Sequence, residues 1–436
     1  MSCRNRPYAP FQTVRSRRDR RGATLSLWMC ATMLFIPSPS DATTGHDKAV
    51  LSLAEEAALI DLMLANSPHR LALEHAKSVH GDGPGDSEQA PLFNPLAPPP
   101  PPPKALTAKP GRRMYGFLPY WTMKSAKLHW EGLTQVAYFA AELKPNGTFA
   151  SLHGWGGASA KALIAQAHAH GVQVPLTVTL FDKVGIGVAL ATAAKRTALI
   201  NKLIDLVISG GGDGINIDFE GLAKADRDKM KAFVVELNTK MHQKLPGSDV
   251  TLATPPVDWS GAWDYDYLAE NCDGLFIMAY GVHYSGSNPG PQLPMANEKP
   301  WNHQTLQWIV DDYMKWGKAV NKHKFIVGLP LYGNSWLSSD GQPGATKLAK
   351  GKAKTMKAAV AEAPKHGGFK WNPASKSTWY GYKNGNSWQQ TWVEDAKSLD
   401  LRIDYVAKRD VQLGLWALGY ADKLVPVWTS LKAYVA

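Results

Sequence analysis

From about residue 112 onward the chain repeats one pattern: a short apolar run that ends in small or polar residues, then a longer stretch with helical spacing. Eight runs read as strands: Met114–Leu118, Gln135–Ala140, Gln173–Leu180, Gly214–Phe219, Val250–Ala253, Gly274–Ala279, Phe325–Leu329 and Leu413–Leu418. Between them Ala158–His170, Lys195–Ile208 and Lys229–Leu245 carry helical periods, the last with Phe233, Val234, Leu237, Met241 and Leu245 on one stripe. Strand and crossover helix in alternation imply parallel strands, and eight of them in about 310 residues predict an α/β fold, a (β/α)8 TIM barrel over residues 111–436. A doubly wound sheet is the alternative, but no Gly-rich phosphate loop opens a helix early in the chain. Between strands seven and eight lie roughly 80 residues, room for a small α+β insertion. That gap holds a Lys-rich helix candidate, Lys347–Ala363, and a hairpin at Asn384-Gly385 flanked by Tyr380, Tyr382 and Trp388.

Upstream the pattern changes. Residues 46–80 read as one or two helices, with Leu51, Ala54, Ala58, Leu62 and Leu64 in a rough helical period, inside a small helical N-terminal region at 43–94. Six prolines, Pro98–Pro103, then form a stiff spacer of about 19 Å within a Pro-rich linker at 95–110. At the start, seven arginines within the first 21 residues precede an apolar run from Leu25 to Ile36. That run is too short to span a bilayer and suits the core of a secretory signal. Ser40-Asp41-Ala42 offers a cleavage site, so 1–42 is read as a signal peptide, with no stable membrane span after cleavage and a secreted, periplasmic or cell-envelope location.

Composition changes the picture at two points. The leader holds seven arginines against two aspartates, so its loss lowers the formal charge from +11 to +6. What remains is a mild excess of lysine, with no basic cluster interleaved with aromatics and therefore no nucleic-acid partner expected. Of Cys3, Cys30 and Cys272 only the last survives cleavage, so no intrachain disulfide is expected.

The chemistry concentrates in Asp213-Gly-Ile-Asn-Ile-Asp-Phe-Glu220. In an extended strand Ile215, Ile217 and Phe219 face one way and Asn216, Asp218 and Glu220 the other. The two carboxylates are expected about 6–7 Å apart. Catalysis in such barrels occurs at the C-terminal strand ends. There the sequence places Glu220, Tyr280 and Trp416, with Tyr120 and Trp121 after strand one and Tyr332 after strand seven. An acid, a helper carboxylate and several aromatic rings suit a carbohydrate, whose apolar faces stack on indole and phenol.

With these residues in view the chain resembles glycoside hydrolase family 18, the chitinases and related N-acetylglucosaminidases. The matching motifs are Asp213–Glu220, Met278–Tyr280, Tyr115–Trp121, Gly328–Gly333 and Leu413–Tyr420, in family order. The resemblance implies retaining hydrolysis of β-1,4 bonds beside N-acetylglucosamine in chitin or peptidoglycan, with the substrate's own acetamido oxygen as nucleophile. Glu220 would be general acid and base, Asp218 would orient the acetamido N–H, and Tyr280 would hold its oxygen. Asn216 completes the catalytic set, and Trp416, Trp121, Tyr120, Met278 and Tyr332 are expected substrate contacts. No metal or cofactor is implied. Asn216 resembles the spore-cortex and peptidoglycan-lytic branch, where many chitinases carry aspartate. Gly281 departs from the family's usual Asp or Asn after the Tyr, a gap that His283–Ser287 is expected to fill. The alternative reading is a lectin-like carbohydrate-binding protein on the same barrel.

Overall fold

The computed structural model describes residues 52–80 and 111–436, apart from 297, 302 and 303. The expected leader, the polyproline segment and the 95–110 linker lie outside the described residues. All described residues belong to one compact unit, Lys48–Ala436.

Two helices come first, α1 (Leu53–Asn66) and α2 (Pro68–His80). Ser52 caps α1 in a reciprocal pair with Glu55, which satisfies donors that the first turn cannot pair internally. Proline at the first position of α2 has no N–H to lose there, so Ser67-Pro68 ends one helix and starts the next. Ser67 is the hinge of this helical hairpin. Ile60 and Leu64 of α1 and Leu73 and Ala76 of α2 are buried, whereas Leu62, expected on the apolar stripe, is half exposed.

Eight parallel strands then close a barrel: β1 (Met114–Pro119), β2 (Gln135–Leu143), β3 (Pro175–Leu180), β4 (Gly214–Phe219), β5 (Asp249–Thr254), β6 (Gly274–Ile277), β7 (Phe325–Pro330) and β8 (Gln412–Trp416). Each pairs with the next, and β1 pairs with β8 through Met114 opposite Leu413 to close the ring. All eight expected strands are present; β6 and β8 end two residues earlier than their apolar runs, and β3 starts two residues later. The interior is packed by rings. Phe276 lies 4.6 Å from Phe117, and a Cβ at Gly414 or Gly328 would meet the Phe276 ring at 2.3 or 2.5 Å. Those two glycines make room for the phenyl that fills the barrel.

The insertion after β7 is a five-stranded antiparallel sheet whose Trp336, Trp379 and Trp392 cluster with Trp301 from the segment before β7. Asn384 pairs with Ser387 around the expected hairpin turn. The expected helix Lys347–Ala363 is corrected: Lys352–Thr355 is a strand paired with Tyr332–Ser335, and the helix runs only Met356–Glu362. Pairing with the neighbouring strand overrides the local lysine-rich pattern there. Arg402, in the helix Ala396–Arg409 before β8, ties that helix to the insertion and to the β6–β7 segment, donating to the carbonyls of Leu293, Lys376 and Ser398 and to Ser377 Oγ, with Glu394 Oε1 at 3.0 Å.

Candidate active site at the barrel mouth

Strand β4 carries the polar side chains from the bottom of the barrel to its mouth. Asp213, just before it, accepts from the backbone N–H of Val174 at 2.7 Å and lies 2.7 Å from His168 Nε2, which raises the imidazole pKa. This first residue of the octapeptide is therefore a clamp between strands. Asn216 lies inside the barrel and donates to Thr251 Oγ1, itself 3.1 Å from the Tyr115 hydroxyl. The hydrogen bonds of Asn216 hold it in that interior network, one side-chain layer below Asp218.

Asp218 and Glu220 reach the mouth. One oxygen of each lies within 4.8 Å of the other, closer than the expected 6–7 Å, because the side chains converge past the end of the strand. Burial pushes the Asp218 carboxyl well up from its ordinary value. Burial, and then the neighbouring Asp218, raise Glu220 to about 8. A carboxyl so raised holds its proton at neutral pH, as a general acid must. Tyr280 and Trp416, both buried, complete the site from β6 and β8.

Two further residues enter from the helical hairpin. Ser67 Oγ donates to Glu220 Oε1 at 2.7 Å while accepting from the Arg70 N–H, so the α2 N-cap is also a contact to the acid. His69 is fully buried: its Nδ1 lies 2.7 Å from Asp218 Oδ2, its Nε2 2.7 Å from the Tyr280 hydroxyl, and its ring 3.9 Å from the Trp416 ring. Burial lowers its pKa to about 4, so the imidazole is neutral. Among the described residues His69, Asp218 and Glu220 also form the one group of donors placed to hold a cation, but both imidazole nitrogens are already bonded to protein oxygens.

The other expected contacts divide. Met278 and Tyr332 are buried at the same mouth, Tyr332 edge-on to Tyr280 at 6.3 Å. Tyr120 instead stacks on His153 at 4.0 Å, with Trp121 edge-on to it. The expected filler of the Gly281 gap is corrected too. His283 bonds the Pro291 carbonyl and meets Trp301 edge-on, facing the insertion, whereas Pro68 Cγ lies 3.3 Å from where a Gly281 Cβ would be. Sequence reasoning missed Ser67 and His69 altogether. Their only local signal is the Ser-Pro helix break, which says nothing of a partner 149 positions away.

A family model described as "Glycosyl hydrolases family 18" matches residues 113–421, most of the chain and the whole barrel. The chain belongs to glycosyl hydrolases family 18. The family 18 relatives include the glycosylase YdhD of Bacillus subtilis (strain 168), 29% identical over 231 residues that make up 51% of each chain. The chain thus spans about half the length of that relative. Di-N-acetylchitobiase of Mus musculus is 27% identical over 54% of this chain and 71% of its own. The family 18 fold is equally plain in the spore cortex-lytic enzyme SleL of Bacillus cereus, which superposes with a TM-score of 0.60 at 20% identity over 74% of this chain and 73% of that one.

Proposed function

We propose that the barrel is a retaining glycosidase that hydrolyses β-1,4 bonds next to N-acetylglucosamine, in chitin or peptidoglycan, by substrate-assisted catalysis. One observation carries the reading: Asp218, Glu220 and Tyr280 converge above Trp416 at the C-terminal strand ends, with Glu220 protonated at neutral pH. Glu220 gives its proton to the leaving glycosidic oxygen. The substrate's acetamido oxygen attacks the anomeric carbon, guided by the Tyr280 hydroxyl, while Asp218 accepts from the acetamido N–H and balances the positive charge of the resulting ring. Glu220, now ionised, takes a proton from the water that opens that ring. Trp416 forms the floor under the sugar.

The names of relatives support both substrates: a chitobiase on one side, a spore cortex-lytic enzyme on the other. Export rests on the arginine-rich start and the short apolar run, and no helix among the described residues is long and apolar enough to cross a membrane. The test is product analysis on chito-oligosaccharides and on peptidoglycan. Glu220→Gln should abolish release of reducing sugar and leave oligosaccharide binding in place; binding without hydrolysis in the active-site-intact protein points to the lectin-like alternative.

A further inference from the structure

We infer that the hairpin of α1 and α2 is an autoinhibitory plug, in which His69 occupies the place of the substrate's acetamido group. This inference rests on the glycosidase reading of the same site. An acetamido group offers one N–H donor and one carbonyl acceptor. With its proton on Nδ1, a neutral imidazole offers the same pair: Nδ1–H donates to Asp218 and Nε2 accepts from the Tyr280 hydroxyl, each at 2.7 Å. The ring lies 3.9 Å from the Trp416 ring, so no sugar fits between them. Ser67 meanwhile donates to Glu220 Oε1, the atom meant for the glycosidic oxygen. Substrate and hairpin are therefore mutually exclusive.

The barrel is shaped for this occupant in two places. Gly281, at φ +78°, lacks the side chain that the family usually has there, and Pro68 packs over it. Gly221, at φ +93°, faces Leu64, whose Cδ1 would lie 2.7 Å from an added Cβ. Outer contacts hold the hairpin down: the Lys77–Glu142 ion pair at 2.5 Å, and the Lys224 N–H donating to Glu56 Oε1 at 2.7 Å. The Gly281 departure thus accommodates the plug.

The tether allows exchange. Residues 81–110 join α2 to the barrel, and a chain of about 30 residues reaches at most roughly 100 Å when extended. A plug on the same chain competes intramolecularly, so a polymer offering many N-acetylglucosamine units can compete where a short oligosaccharide does so poorly. The apparent affinity for a short ligand falls by the fraction of molecules with an open mouth.

The experiment uses the full chain and chitotetraose, comparing the natural sequence with His69→Ala, Ser67→Ala and Gly281→Asn. Asparagine tolerates positive φ better than most residues and returns a side chain to the Pro68 niche. His69→Ala should bind chitotetraose at least tenfold more tightly, about 1.4 kcal/mol, and hydrolyse it correspondingly faster at low substrate. Gly281→Asn should shift both in the same direction by less, and Ser67→Ala least. Each is read in the Glu220→Gln background for binding and without it for turnover. Unchanged binding and turnover in folded His69→Ala and Gly281→Asn overturn the plug while leaving the glycosidase reading intact. Tighter binding with no turnover in any variant upholds the plug and rejects the glycosidase. If His69→Ala fails to fold, Gly281→Asn and Ser67→Ala decide.

Discussion

Two clusters bury ionisable groups at the edges of this barrel, and they are built differently. Around Arg402 every donor nitrogen finds an oxygen, four of its bonds going to the backbone carbonyls of Leu293, Lys376 and Ser398. Around His69 the partners are side chains and the imidazole is neutral; the carboxyls are pushed up by burial, as Glu394 is beside Arg402, and each cluster leaves one buried carboxyl oxygen without a partner, Asp218 Oδ1 and Glu394 Oε2. Burial is tolerable in the first because the guanidinium is hydrogen-bonded at every nitrogen and faces Glu394. In the second it is tolerable because Glu220 is raised far enough to hold its proton at neutral pH and the imidazole is neutral. The first cluster is a permanent fastening; the second is a site with a removable guest.

That contrast can be broken by mutation. Glu220→Gln should give the largest effect, a loss of about 10²–10⁴-fold in turnover, measured as reducing sugar released by the His69→Ala chain. Its stability should barely change, since the amide still accepts from Ser67 and loses only a titration. Arg402→Ala should do the reverse: it strands the buried Glu394 and lowers unfolding free energy by about 3–5 kcal/mol in denaturant titrations. His69→Ala, although its side chain is as buried as that of Arg402, should cost far less, because an unseated hairpin lets water reach Asp218 and Glu220. Equal losses from the two alanine variants would erase the distinction.

The pH dependence sharpens it further. Glu220 must be protonated to act as acid, so turnover falls as pH rises through its pKa. With the hairpin seated that value is about 8, raised first by burial. Opening the mouth restores solvent and lowers it, so the basic limb of the profile in His69→Ala should lie below 8, and a limb at or above 8 contradicts the account. The sign for seating follows from His69: its folded pKa lies below the ordinary imidazole value, so its contribution is full above pH 6.5 and is lost as pH falls toward 4.

The two regions also differ in how far the sequence announced them. The eight strands were legible because each is a short apolar run that must be covered on both faces, and β4 as the candidate site strand because its polar residues alternate with Ile215, Ile217 and Phe219. Glu220, Asp218, Tyr280 and Trp416 followed from their positions at strand ends. Asn216 was placed in the right strand but belongs to the interior network with Thr251. Tyr120 was legible as a strand-end aromatic, yet its face is taken by His153, a packing choice that no local pattern encodes. His69 was invisible for a related reason: in the first turn of a helix a lone histidine has no periodicity to betray it, and its partners come from distant strands. Gly281 was noticed as a gap, and only Pro68 in the folded chain shows what fills it.

The most direct test of shared occupancy is the titration of the His69 imidazole by nuclear magnetic resonance in the Glu220→Gln chain, with and without saturating chito-oligosaccharide. The account predicts an imidazole that stays neutral down to about pH 4 without saccharide and regains an ordinary pKa near 6.5 when saccharide fills the site. An unchanged, depressed pKa in the presence of bound saccharide would mean that substrate and His69 do not compete, and would contradict it.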